Sequence, residues 1–191
     1  MPISDSKKDS EKFRKFKIVV IGDGFVGKTT LILKFTQGTF QKDYLKTVGA
    51  QLSEFDAEIS GDKIRLLFWD IAGQDDFHFL RPSFYRASNA AIIVYSLEEN
   101  DLGKRSFKNI KKWHEDTIQF CGEIPIVIFA NKVDLIKEDS LDHSGIQEIV
   151  KKRNFLGYYI TSAKTGQGVH EAFNSLIENL YYKHKSISTE L

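Results

Sequence analysis

The stretch Gly22-Asp23-Gly24-Phe25-Val26-Gly27-Lys28-Thr29 sets spaced glycines ahead of a lysine and a threonine. It stands directly after the apolar run Ile18-Val19-Val20-Ile21 and directly before an amphipathic stretch, Thr29 to Phe35. Strand, glycine-rich bend and helix start, in that order, make a phosphate cradle. The glycines let successive backbone N–H groups face inward, Lys28 reaches the outer phosphates as a point charge, the Thr29 hydroxyl ligates Mg²⁺, and the helix N-terminus adds its dipole. The plainer alternative is a turn that only joins strand to helix. A chain of this length matches the pattern by chance about once in a hundred, before the flanking strand and helix are required.

Three later segments narrow the chemistry. Asp70-Ile71-Ala72-Gly73-Gln74 follows the run Ile64 to Trp69. Open α/β sheets bind ligands beyond the carboxyl ends of their strands, which puts Asp70 beside the cradle. There its carboxylate suits Mg²⁺ held through water, Gly73 can bring a backbone N–H against a terminal phosphate, and Gln74 can orient an attacking water. Asn131-Lys132-Val133-Asp134 follows Ile124 to Ala130. An Asp134 carboxylate can accept the N1–H and N2–H₂ of guanine, donors that adenine lacks there. Ordinary turn formation is the plainer reading of Asn131 and Asp134. Ser162-Ala163-Lys164 follows Tyr158 to Ile160 and can offer a backbone N–H to guanine O6; its weight comes from order and position.

The elements that must position these groups alternate along the chain. Short β-branched runs (18–21, 64–69, 91–95, 124–129, 158–160) interleave with amphipathic stretches (29–35, 107–118, 146–152, 169–182), the pattern of a mostly parallel sheet covered on both faces. Gln51 to Ile59, with Leu52, Phe55, Ala57 and Ile59 in partial alternation, meets Ile64 to Trp69 across Ser60-Gly61-Asp62-Lys63, a turn short enough only for an antiparallel hairpin. Six strands with one antiparallel edge strand are therefore expected. Val169, Ala172, Phe173, Leu176, Ile177 and Leu180 recur at helical spacing and predict one buried stripe. Pro82 is expected to end a short helix.

The chain has 191 residues, 41% hydrophobic and 28% charged, which suits one globular domain and excludes a collagen-like or wholly disordered chain. Lys plus Arg 27 against Asp plus Glu 26 leaves +1, too balanced for bulk binding of nucleic acid. The single cysteine, Cys121, excludes an internal disulfide and a multi-cysteine zinc site; it is read as a packing or loop residue. No apolar run approaches the roughly 20 residues of a membrane span. A cytoplasmic monomer is expected. Residues 1–16 read as a disordered tail, 17–183 as the domain and 184–191 as a flexible end.

In this order the segments resemble the small GTPases of the Ras superfamily, over about residues 17 to 182. Trp69-Asp70-Ile71-Ala72-Gly73-Gln74, Phe84-Tyr85-Arg86 and Ser106-Phe107 lean toward the Rab and Ras branches. The resemblance implies an α/β P-loop NTPase G domain with five helices on both faces of the sheet, GTP as substrate, GDP as product and Mg²⁺ as cofactor. It implies nucleotide contacts from Gly22, Asp23, Gly24, Phe25, Val26, Gly27, Lys28, Thr29, Thr30, Gly73, Asn131, Lys132, Asp134, Ser162, Ala163 and Lys164. It adds Phe40 beside the guanine, Tyr44 over the phosphates and Thr47 on Mg²⁺ and γ-phosphate. Thr29, Thr47 and, through water, Asp70 would hold the ion; Gln74, Lys28, Thr47 and Gly73 would serve hydrolysis. Loops 37–49 and 72–86 would hold one shape with GTP and relax after hydrolysis, read by effector, exchange-factor and GTPase-activating proteins. Turnover would be slow without an activator, because no arginine occupies an evident position for a finger supplied by the chain itself; Arg81 and Arg86 read as structural or partner-facing.

Three features depart from the family pattern. Phe25 stands where a small residue is usual, and its ring must point away from the phosphates or crowd them. This motivates an alternative, a GTP-binding scaffold with little or no hydrolysis. A metabolite kinase is poorer still, since it leaves Asn131 to Asp134 unexplained. Lys46 stands where proline is frequent. The sequence ends Ile187-Ser188-Thr189-Glu190-Leu191 without the prenylated cysteine of membrane-bound branches. Lys7, Lys8, Lys12, Arg14, Lys15 and Lys17, interleaved with Phe13 and Phe16, leave room for weak peripheral contact with anionic lipid.

Overall fold

A computed structural model describes residues 13–40, 47–73, 81–137 and 143–189, with residues 187–189 described by backbone alone. Tyr44, Lys46, Gln74, most of the 37–49 and 72–86 loops' middles, and the tail before residue 13 lie outside the described residues. The elements run β1 (Arg14–Ile21), α1 (Lys28–Gln37), β2 (Ala50–Ile59), β3 (Asp62–Ile71), α2 (Arg81–Tyr85), β4 (Ala90–Ser96), α3 (Asp101–Lys108), α4 (Ile110–Cys121), β5 (Ile126–Asn131), a 3₁₀ turn (Val133–Leu135), α5 (Ser144–Lys152), β6 (Gly157–Thr161) and α6 (Val169–Thr189). Sheet order is β2-β3-β1-β4-β5-β6, with β2–β3 the antiparallel pair at one edge. This is the six-stranded Ras-like P-loop fold expected from the sequence.

The period of two in the strands divides the core between the faces. Phe16, Ile18 and Val20 of β1 join Phe35 of α1 and Phe173 of α6, whose rings stack at 4.3 Å; Val19 and Ile21 join Trp113 of α4 on the other face. All six residues of the predicted α6 stripe are buried. On β2, Phe55, Ala57 and Ile59 pack on the first core, but Leu52 is exposed. The hairpin turn is tighter than expected: only Ser60 and Gly61 separate the strands, both with positive φ (52° and 82°), as a two-residue turn matching the strand twist requires.

Several boundaries move. β1 begins at Arg14, inside the expected tail, because it pairs with β3 from Arg14↔Ile64 onward and Phe16 is buried. α6 runs past residue 183 to Thr189; Tyr181 donates to Asp62 at 2.6 Å, and Arg14 lies 2.6 Å from His184, joining its end to the sheet. The same packing removes part of the proposed lipid-facing set: Phe16 is core, and Lys17 donates to the Arg86 carbonyl at 2.7 Å beneath the Trp69 ring. The helix expected over 107–118 spans 101–121 as α3 and α4, meeting at Asn109. Its true start was hidden in Asn100, whose side chain accepts the Gly103 N–H. The described residues thus hold six α-helices, not five. Pro82 is the second residue of α2 rather than its end, a first-turn position where the missing N–H costs no helical bond. Cys121 closes α4, donates to the Tyr85 carbonyl at 3.2 Å, and burial pushes its thiol pKa up.

Candidate nucleotide-binding site

The cradle sits at the carboxyl end of β1, where Gly22 to Gly27 link it to α1. Lys28, the first residue of that helix, is buried, and its ammonium donates to the carbonyls of Gly22 (2.9 Å) and Asp23 (2.8 Å). Burial lowers its pKa to about 8, partly opposed by the charges of Asp70 and Asp23. Phe25 holds a left-handed backbone (φ 67°), explaining why a small residue would suit the position, and its side chain is 54% exposed.

Three groups far apart in sequence meet beside Lys28. The Thr29 hydroxyl donates to Asp70 Oδ2 and lies 3.0 Å from the Thr47 hydroxyl, which itself reaches Asp70 Oδ2 at 3.4 Å. Asp70 is inside β3, one residue before its end, rather than after it. Burial holds its carboxyl above the usual range, against the pull of the Lys28 ammonium, and its Oδ1 is buried with no hydrogen-bond partner among the described residues. Gly73 lies against the cradle: a Cβ there would come within 2.3 Å of the Gly22 carbonyl oxygen, so only glycine fits. Gly24, Phe25, Gly27, Lys28, Thr29, Thr47, Ala72 and Gly73 enclose a cavity of only about 10 Å³.

A larger cavity, about 200 Å³, continues from Gly27 and is lined by Thr30, Phe40, Asn131, Lys132, Asp134, Leu135, Ala163 and Lys164. Gly27 lines both, so Lys28 and Asp134 border adjoining parts of one cleft. Asp134 accepts the Ser162 hydroxyl at 2.6 Å and pairs with Lys164 at 3.7 Å, which aims its carboxylate while leaving lone pairs for a ligand. The Asn131 amide is occupied otherwise. It donates to the Val26 carbonyl at 2.8 Å and accepts the Ala163 N–H at 3.1 Å and the Thr161 hydroxyl at 3.3 Å. It is the last residue of β5 and straps the cradle to the loop after β6. Lys132 extends to Glu98, 2.5 Å away.

Of the expected site residues within the described segments, Gly22, Asp23, Val26, Asp70 and Ser162 line neither cavity but bond to residues that do; Asn131 ties loops together, and the Asp23 carboxylate points away to Trp113 and Asn109 at 2.8 Å each. Sequence reasoning missed Leu135, Glu98, Asn109 and Trp113. Leu135 had a usable signal, a large apolar residue directly after Asp134; the others become neighbours only in three dimensions. A separate cavity of about 500 Å³ near His114, Arg153 and Phe155 shares no lining residue with the cleft.

A glycine-rich cradle with a buried lysine, a hydroxyl–carboxylate cluster and an adjoining pocket at the ends of a six-stranded mixed sheet are the features of a P-loop nucleotide-binding protein. The Ras family model matches residues 17–182, and the chain belongs to that family, the small GTPases. Among its relatives, it is 38% identical to the Ras-related protein Rab-21 of Homo sapiens and that of Bos taurus, each over 86% of this chain and 72% of the relative. It is 36% identical to the GTP-binding protein RHO1 of Saccharomyces cerevisiae, over 83% of this chain and 80% of the relative.

Proposed function

We propose that this GTPase binds GTP and GDP with Mg²⁺, hydrolyses GTP slowly by itself, and passes its nucleotide state to effectors through loops 37–49 and 72–86 in cytoplasmic signalling or membrane trafficking. The observation that carries the reading is the adjoining pair of cavities, one bordered by Lys28 and Thr29, the other by Asp134. Thr29, Thr47 and Asp70 fit the ion: two hydroxyls and a carboxylate, one oxygen of it buried and unpartnered, are a hard oxygen set. When bound, Mg²⁺ would neutralise charge on the phosphates. Lys28 is poised to exchange its two carbonyl partners for phosphate oxygens. Asp134 would accept the two guanine donors, and Gln74, outside the described residues, would orient water. Slow turnover is supported by the arginines: none lines either cavity, and Arg81 is buried against Asp116 at 3.2 Å.

Asp134→Asn should shift preference from guanine toward xanthine nucleotides, whose 2-oxo group suits an amide donor; competition binding checks this, and an unchanged preference overturns the base contact. Phe25, which lines the phosphate cavity, favours the scaffold as a second reading. Single-turnover phosphate release decides between them. Release that slows further in Gln74→Leu supports the switch, and no release even with an activator supports the scaffold.

A further inference from the structure

Asp23 brings an acid into a loop built for anions, and the fold turns that acid outward. Its Oδ1 accepts the indole N–H of Trp113, its Oδ2 accepts the Asn109 amide, and Arg105 Nε lies 3.5 Å away. The carbonyl of the same residue accepts Lys28. The main chain on which the phosphate lysine perches is therefore fixed by a side chain whose partners all lie in the α3–α4 stretch. The indole is itself fixed. The Arg81 guanidinium lies over its ring, 4.4 Å from the centroid, and pairs with Asp116 on α4. Trp113 is 2% exposed and Asp23 6%, so little water screens the contact.

We propose that Trp113 is a positioning residue for the phosphate cradle: its indole N–H sets the Asp23 carboxylate and, through the Asp23 carbonyl, the place of the Lys28 ammonium. The inference rests on the nucleotide reading above and extends it to a residue that lines neither cavity. Deprived of this donor, the carboxylate keeps Asn109 and Arg105 on Oδ2 but leaves Oδ1 buried and unpaired, and the shift that relieves it moves the carbonyl that carries Lys28. Binding of phosphate draws Lys28 off that carbonyl, so the indole environment should respond to nucleotide in return.

The test uses the full chain. Trp113→Phe, which keeps a ring under Arg81 but loses the N–H, should release GDP about tenfold faster, the scale of one charge-assisted hydrogen bond. Asp23→Ala, which loses the Asn109 and Arg105 contacts as well, should accelerate release at least as much, and the double variant should release no faster than Asp23→Ala, because the bond to Trp113 is already broken there. Effects that multiply, or a Trp113→Phe protein that melts lower yet releases GDP at the original rate, overturn the proposal and leave Trp113 a packing residue. A spectroscopic readout covers failure of Trp113→Phe to fold. In a Trp69→Phe chain, Trp113 is the one remaining tryptophan, and its emission should shift when saturating GDP is added to nucleotide-free protein. The shift should disappear in Trp69→Phe with Asp23→Ala; a shift of equal size there refutes the coupling. Absence of any GDP binding by the unaltered protein refutes the nucleotide reading itself, and is seen before a variant is made.

Discussion

At the Lys28 end of the cleft most groups come from one run of chain, Gly24 to Thr29, with Thr47, Ala72 and Gly73 closing it from other segments. The Asp134 end is assembled from separate segments around 27–30, 40, 131–135 and 163–164. The first is tight, holds a buried ammonium, and is governed by charge. The second is roomy and depends on a strap, the Asn131 amide, reaching the Val26 carbonyl across 105 positions of sequence. A contiguous motif can carry its own geometry; a composite one must be cross-braced, and the brace is neutral because its task is to fix loops rather than to attract an anion.

Removing each anchor separates the two designs. Lys28→Ala should have the largest effect on binding, a loss of GDP affinity of about 100-fold or more, since an uncompensated polyphosphate remains in a nearly dry site. It should not lower the melting temperature of nucleotide-free protein, because burying that ammonium already disfavours its charged form. Isothermal calorimetry and a thermal melt check both halves. Asn131→Ala should act through stability. Losing its bonds to Val26, Ala163 and Thr161 should cost about 3 kcal/mol, a drop of about 10 °C in a domain of this size, measured by the nucleotide-free melt. If the two variants melt alike, the contrast between a charge-governed and a braced end fails.

The smallest expected effect is in pH. With the Lys28 pKa near 8 in the folded chain and 10.5 ordinarily, the unfolded chain binds more protons on this group between those values, so its contribution to stability rises with pH across that window. Phosphate reverses the preference by favouring the ammonium. GDP affinity should therefore fall above about pH 8, by at most about tenfold per unit, with a proton taken up on binding. Calorimetry in buffers of different ionisation heat measures that proton; none taken up at about pH 9 would show that Lys28 does not meet the phosphates.

Much of this was legible in the chain. The β1–cradle–α1 unit, the antiparallel edge and the α6 stripe follow from local periodicity and turn chemistry, which act between residues close in sequence. Misplaced boundaries have a common cause. Arg14 to Phe16 look like a polar tail until β3 offers partners, and 184–189 look like a loose end until Arg14 and Asp62 receive the last turns of α6. The helix break at Asn109 and the outward turn of Asp23 likewise meet in one hydrogen bond, invisible from either residue alone.

By itself the sequence determined which atoms can meet phosphate and guanine, because the lysine, the hydroxyls and the carboxylates are chemical identities, and it determined their order along a parallel sheet. Only the tertiary structure decided which of them face the cleft and which brace it. Asn131 and Asp23 carry groups as fit for a ligand as those of Asp134 and Thr29, and their use was settled by whether a buried carbonyl, amide N–H or indole N–H of the chain lay nearer and needed a partner.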